Sequence, residues 1–214
     1  MRNRVISAAR VVFAAASVAG VVTQLVIAVR TDFGVLNFFS YFTTLGNLFA
    51  STVFVVGAVR TARGRPSSPR WEAVRGASVV YMAFVGIVFN TLLRDADLGD
   101  LTPWVNVVHH MLMPLAVVLD WVFVPPRWSI TRRVAAWWVA VPVVYTAYSL
   151  AHGAASGFYP YPFFDPSRGG YGTVALWCVV LLVAFLVLAA LVRLIGNALS
   201  TRARRSDPEG ASTR

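Results

Sequence analysis

The chain has 214 residues, 57% hydrophobic and 13% charged, with a mean hydropathy of +0.66. That apolar fraction exceeds the roughly 45 to 50% of soluble domains and excludes an ordinary water-soluble globule. The formal charge of +10 comes from 19 arginines, with no lysine, set against nine acidic residues.

The apolar residues gather into six uncharged runs, at 11–29, 33–59, 76–93, 101–119, 134–164 and 169–192. A helix rises about 1.5 Å per residue and needs roughly 20 residues to cross a hydrocarbon core about 30 Å thick, so each run can span with some tilt. Spans are predicted at 9–29, 38–59, 75–93, 104–124, 134–152 and 173–195. The expected fold class is therefore all-α, a polytopic integral membrane protein with six transmembrane helices. One domain covers 1–200, and a disordered basic and polar tail is expected over 201–214. No internal repeat is evident.

The first run, 19 residues long and with no A-x-A site following it before Arg30, is expected to be a retained helix and not a cleaved signal peptide. The second span opens with Ser40, Thr43, Thr44, Asn47 and Ser51, and the spacing 40, 43, 47, 51 puts one polar stripe on a single face. The Arg/Ser/Pro-rich connector 61–70 reads as a flexible surface segment. Span three closes with Asn90 and Thr91; span four opens with Asn106, His109 and His110. Asp120 lies ten residues below His110, about 15 Å along the axis and too far to orient it. It is expected near the cytoplasmic surface, paired with Arg127 or Arg132. Span five closes with Tyr145, Tyr148, Ser149 and His152, and an aromatic loop follows at 158–164. The single Cys178, inside the sixth run, allows no intrachain disulfide and no CxxC pair, and reads as an inert buried thiol.

Charge sets the topology. Sixteen arginines fall on the side of the termini, against Arg30, Arg94 and Arg168 on the other, where Asp32, Asp95, Asp97, Asp100 and Asp165 collect. By the positive-inside rule both termini are cytoplasmic in a multi-pass protein of the cell membrane. The basic excess is explained by topology and by attraction to anionic membrane lipids. Nucleic-acid binding is not expected, because no soluble basic domain is present.

Apart from Asp120, the polar groups named for spans two to five lie within about two turns of the outer ends of their helices, while the inner halves are almost pure Val, Ala, Leu and Phe. Each has a structural reading. Ser and Thr bond the i−4 carbonyl, and Asn joins neighbouring helices. Adjacent His109 and His110 point about 100° apart and are not expected to face one site, so at least one is structural. His152 reads as an interfacial histidine. A one-sided polar cluster drawn from at least four helices is the functional signal.

Three segments carry a resemblance: NFFSYFTTLGN at 37–47, the stretch 104–121 in which His110 is followed by Pro114 and then LDW, and the outer loop HGAASGFYPYPFFDP at 152–166. The chain resembles, over most of its length, the bacterial six-helix membrane family called Pr6Pr. That family is distantly similar to the androgen-induced and ADTRP-type integral-membrane threonine hydrolases. The resemblance implies hydrolysis of fatty acid esters of hydroxy fatty acids by a threonine and a histidine. Carried over, Y-F-T makes Thr43 the nucleophile, and W-V-N followed four residues later by histidine makes His110, not His109, the base. The chain departs from the hydrolases in lacking a histidine directly after Asn106 and in a His to Pro spacing one residue shorter.

On this reading Thr43 attacks a lipid ester carbonyl and His110 takes and returns its proton through an acyl-threonine intermediate. Asn106 or Tyr148 holds the imidazole, Asn47 or Asn90 donates to the oxyanion, and Tyr159, Tyr161 and Phe163 form a lid or an interfacial aromatic belt. No cofactor and no metal are expected. Two alternatives stand beside it: a non-catalytic packing, binding or transport protein, and a membrane cytochrome using His110 and His152 as haem ligands.

Overall fold

A computed structural model of the chain describes residues 1–94, 96 and 101–205. Asp95, Asp97 and Asp100 of the expected acidic loop, and 206–214 of the expected tail, lie outside the described residues. All regular structure among the described residues is helical: α1 Arg2–Arg30, α2 Val35–Phe39, α3 Phe42–Ala62, α4 Pro69–Val88, α5 Pro103–Val107, α6 Met113–Phe123, α7 Arg132–Ser156 and α8 Gly170–Arg205. Helix α4 runs on through a π-helical turn Phe89–Leu93, and a second π turn, Val108–Leu112, joins α5 to α6. Six of the resulting helices are long and apolar enough to cross a membrane, which supports a multi-pass membrane protein.

Helix ends follow local chemistry. The second span does not start at 38. Ser40 Oγ donates back to the Leu36 carbonyl at 2.8 Å and closes α2, and extended Tyr41 then starts α3. Ser68 caps α4 ahead of Pro69 by accepting from the Trp71 N–H, Thr131 caps α7 by accepting from the Val134 N–H, and left-handed Gly157 ends α7. Helix α8 continues to Arg205, past the expected boundary at 200. The connector 61–70, expected to be flexible, is pinned: Arg60 Nη2 donates to the Pro66 carbonyl at 2.7 Å and Trp128 Nε1 to the Ser67 carbonyl at 3.1 Å.

Helix α4 is the centre of the bundle, with Val80 and Met82 fully buried. Small residues let its neighbours close on it: a Cβ on Gly76 would sit 2.3 Å from the Trp138 ring, and one on Gly86 3.0 Å from Pro114. The outer faces of α7 and α8 stay apolar and open, with Val144 69% and Leu176 63% exposed, the surface a hydrocarbon solvent accepts.

The six long helices alternate in direction, so both ends of the described chain lie at one end of the bundle, here the terminal end; the loops 31–41 and 157–169 lie at the distal end. At the terminal end a buried ion network ties α1, α4 and α6. Arg10 grips Asp120 with two bonds, Nε to Oδ1 at 2.7 Å and Nη2 to Oδ2 at 3.0 Å. Arg75 reaches Asp120 Oδ2 at 3.1 Å and Glu72 Oε2 at 2.9 Å. Glu72 also accepts from the Arg127 N–H at 3.1 Å and from Ser67 Oγ. In place of Arg127 or Arg132, expected from sequence, the ion-pair partners of Asp120 are therefore Arg10 and Arg75. Both are buried inside helices that cross at its level, and two positive charges meet two negative ones with bidentate geometry.

Removing Asp120 leaves two buried guanidiniums short of a partner. Asp120→Ala is expected to cost about 3 to 5 kcal/mol, read as a lowered melting temperature of the detergent-solubilised protein. An unchanged melting temperature would show that the network contributes nothing to stability.

Candidate functional site

At the distal end the two π turns lie side by side. In a π turn bonding runs to i−5 in place of i−4, and Pro114, which has no N–H, offers no donor to the His110 and His109 carbonyls four and five residues before it, so a donor must come from elsewhere. Two asparagine amides supply it. Asn47 Nδ2 donates to the Thr43 carbonyl at 2.9 Å and to the His109 carbonyl at 3.3 Å, while its Oδ1 accepts from Ser17 Oγ at 3.1 Å. Asn90 Nδ2 donates to the Gly86 carbonyl at 2.7 Å and to the His110 carbonyl at 3.2 Å. Both amides expected as oxyanion donors are thus spent on helix backbone.

These bonds hold the turn that carries both histidines. The His110 ring stacks on Phe89, with centroids 3.6 Å apart and planes at 15°. Its Nδ1 lies 2.7 Å from Asn106 Oδ1 and 3.2 Å from the Asn106 carbonyl. A backbone carbonyl only accepts, so Nδ1 carries the proton and Nε2 keeps its lone pair. His109 Nε2 donates to the Ser17 carbonyl at 2.9 Å, with the ring against Gly20, where a Cβ would come within 2.6 Å of it. Sequence reasoning passed over Ser17, Gly20 and Gln24 of α1, although their spacing of three and four residues marks one helical face. Gln24 Oε1 accepts from the Thr102 hydroxyl at 2.7 Å.

Thr43 lies in the first turn of α3. No side chain of the α3 N-cap satisfies that turn; two phenols from distant parts of the chain do. The Phe42 N–H donates to Tyr145 Oη at 3.2 Å and the Thr43 N–H to Tyr161 Oη at 3.3 Å. Tyr145 spends its own proton on the Ser40 carbonyl at 2.8 Å. Tyr148 is not at the imidazole of His110: it bonds Ser40 Oγ at 2.7 Å and stacks on His152, one turn along α7.

Two cavities of about 320 Å³ each meet at Thr43. One is almost wholly apolar, between α4, α7 and α8, with Phe84, Phe185 and Cys178 among its walls. Val143 and Leu182 line it and are also 49% and 38% exposed, so it opens sideways onto the apolar outer surface. The other is more polar and is bordered by Gln24, Thr44, His109 and His110. Thr43, Phe89, Leu93 and Tyr161 border both and form the partition. His109 and His110 thus share one chamber, against expectation; the turn between them is π-helical and wider than an α turn. Thr43 and His110 border the same polar chamber, and among the described residues no hydrogen bond joins their side chains directly.

The loop expected as a lid is wedged in place. Tyr159 packs on Gly153, leaving no room for a Cβ there, and Tyr161 and Phe164 are buried. Tyr161 and Phe163 border the apolar chamber; Tyr159 borders neither. Asp165 caps the following turn, and hydrogen bonds from Ser167 hold its carboxyl below the ordinary range. His152, half-buried, bonds Asn37 Oδ1 through Nε2 at 3.0 Å and borders neither of these two chambers.

No family model, curated protein or solved structure matches the chain.

The fit of His109 over Gly20 can be probed by one methyl group. Gly20→Ala is expected to lower stability by about 1 to 3 kcal/mol through overpacking. Gly172→Ala, where a Cβ meets nothing within 4 Å, serves as the helical control and should hold or raise it. Equal thermal shifts in the two variants would contradict the packing described.

Proposed function

We propose that the protein is an intramembrane hydrolase of lipid esters, with Thr43 as nucleophile and His110 as general base. The observation that carries this reading is that a buried imidazole, its Nδ1 proton committed to Asn106, shares a chamber with a threonine hydroxyl that also borders a separate apolar chamber open to lipid. An imidazole in that tautomer presents Nε2 as a base, the role the orienting group plays in nucleophile, base and orienter arrangements. Asn106 is the orienter here, in place of a carboxylate.

In the reaction, Thr43 Oγ attacks the ester carbonyl carbon while its proton passes to His110 Nε2. The carbonyl π pair moves onto oxygen. Collapse of the tetrahedral species breaks the bond to the alcohol oxygen, which takes the proton back from His110. Water, giving a proton to the same nitrogen, then adds to the acyl carbon; collapse breaks the bond to Thr43 Oγ, which takes the proton back from His110 as the fatty acid leaves. The acyl chain lies in the apolar chamber, entering between Val143 and Leu182 from the bilayer. The arginine bias puts the terminal end and both termini in the cytoplasm and the site toward the extracytoplasmic leaflet. The resemblance to Pr6Pr proteins and threonine hydrolases supports the same pair of residues.

A second reading, a lipid-binding protein without catalysis, is favoured by one observation: Asn47 and Asn90 have no amide donor to spare. An alkyl fluorophosphonate probe separates the two. The wild-type protein is expected to be labelled, Thr43→Ala not at all, and His110→Ala about 10² to 10⁴-fold more slowly. Labelling that survives unchanged in both variants would overturn the assignment, and an unlabelled wild type that still binds a fluorescent fatty acid would favour the binding protein.

A further inference from the structure

We propose that Tyr161 is a further catalytic residue, its hydroxyl donating a hydrogen bond to the oxyanion that forms at Thr43; this rests on the Thr43 and His110 reading above. Tyr161 Oη accepts the Thr43 N–H at 3.3 Å, and the Thr43 side chain lies beside the same hydroxyl. With its oxygen occupied by an incoming N–H, the phenol's own proton is directed at the neighbouring oxygens. One of these is the threonine hydroxyl, next to which the carbonyl oxygen of a bound ester must lie. The other is Tyr145 Oη, whose proton is already committed to the Ser40 carbonyl.

The phenol is also well held. Its ring meets Tyr41 edge-on at 5.7 Å and stacks on Phe163 at 5.1 Å, Phe164 beside it is 2% exposed, and Tyr159 is seated against Gly153. A donor fixed in this way needs no reorganisation as charge develops, which is the condition for oxyanion stabilisation. The partition position fits the role: an ester whose chain fills the apolar chamber and whose carbonyl meets Thr43 has its carbonyl oxygen at the wall that Tyr161 forms. The positive end of α3, where Thr43 sits in the first turn, adds to the stabilisation. When the Thr43 Oγ to carbon bond forms and the π pair moves onto oxygen, Tyr161 keeps its proton and donates a hydrogen bond. When the oxyanion collapses and the bond to the alcohol breaks, that hydrogen bond returns to the resting oxygens.

The test uses the full chain in lipid nanodiscs with p-nitrophenyl octanoate as probe, comparing wild type, Thr43→Ala, Tyr161→Phe and Tyr145→Phe, with a melting temperature for each. Tyr161→Phe keeps the ring and is expected to lower kcat about 10² to 10³-fold with KM within twofold and a similar melting temperature. Tyr145→Phe should cost tenfold or less. A kcat within threefold of wild type, or a raised KM at unchanged kcat, would overturn the oxyanion role while Thr43-dependent turnover leaves the hydrolase reading intact. Wild-type turnover that survives Thr43→Ala would overturn both. Should Tyr161→Phe unfold, weaker binding of octyl trifluoromethyl ketone to Tyr161→His, by at least tenfold, carries the same prediction, and equal binding overturns it.

Discussion

A carbonyl freed inside an apolar bundle has to find its donor within the bundle, because the surrounding medium offers none. That constraint organises the distal half of this protein. Pro114 has no N–H to give the His109 and His110 carbonyls of the π turn Val108–Leu112, and Asn47 and Asn90 supply donors from neighbouring helices. Each asparagine also bonds the i−4 carbonyl of its own helix, which aims the amide. The histidine turn is therefore clamped from two sides by α3 and α4, and the imidazoles inherit their positions from the backbone beneath them.

The two ends of the bundle solve the cost of buried polarity in different ways. At the terminal end, full charges are brought together as a neutral set: Arg10, Arg75, Glu72 and Asp120, each with more than one bond. Such a network needs every partner and leaves no reactive group. At the distal end the groups are neutral hydroxyls, amides and imidazoles, and the bonds leave the His110 Nε2 lone pair uncommitted beside a cavity. At the distal end a lone pair borders a cavity, whereas in the ion cluster the charges are already paired with one another.

Much of this was legible in the chain. Six apolar runs of spanning length became six helices because backbone bonding within a segment is the only arrangement a long apolar run of this kind can bury. The stripe of Ser40, Thr43, Asn47 and Ser51 and the turn from Asn106 to His110 marked the polar groups of the distal half, and the four-residue spacing let Asn106 reach the His110 ring. The other half, expected to be almost purely apolar, holds the buried ion network. The roles of individual groups were less legible. Tyr148 and the two asparagines were matched to the histidine by depth and residue type, yet depth says nothing about azimuth, and each found a nearer acceptor. Asp120 was paired with Arg127 or Arg132 because they follow it closely in the chain, whereas Arg10 and Arg75 reach it from other helices, 110 and 45 residues away.

By itself the sequence determined the six long apolar helices, through run length, and the link between Asn106 and His110, through spacing along one helix. Only the tertiary structure decided that Thr43 divides an apolar chamber from a polar one, that Tyr161 comes back from a loop 118 residues away to meet it, and that His109 and His110 share a chamber. The reason is physical. Periodicity fixes which residues share a face of a helix, whereas the facing of one helix toward another is set by the small residues at crossings, Gly20, Gly76 and Gly86, and by which freed carbonyl each amide can reach.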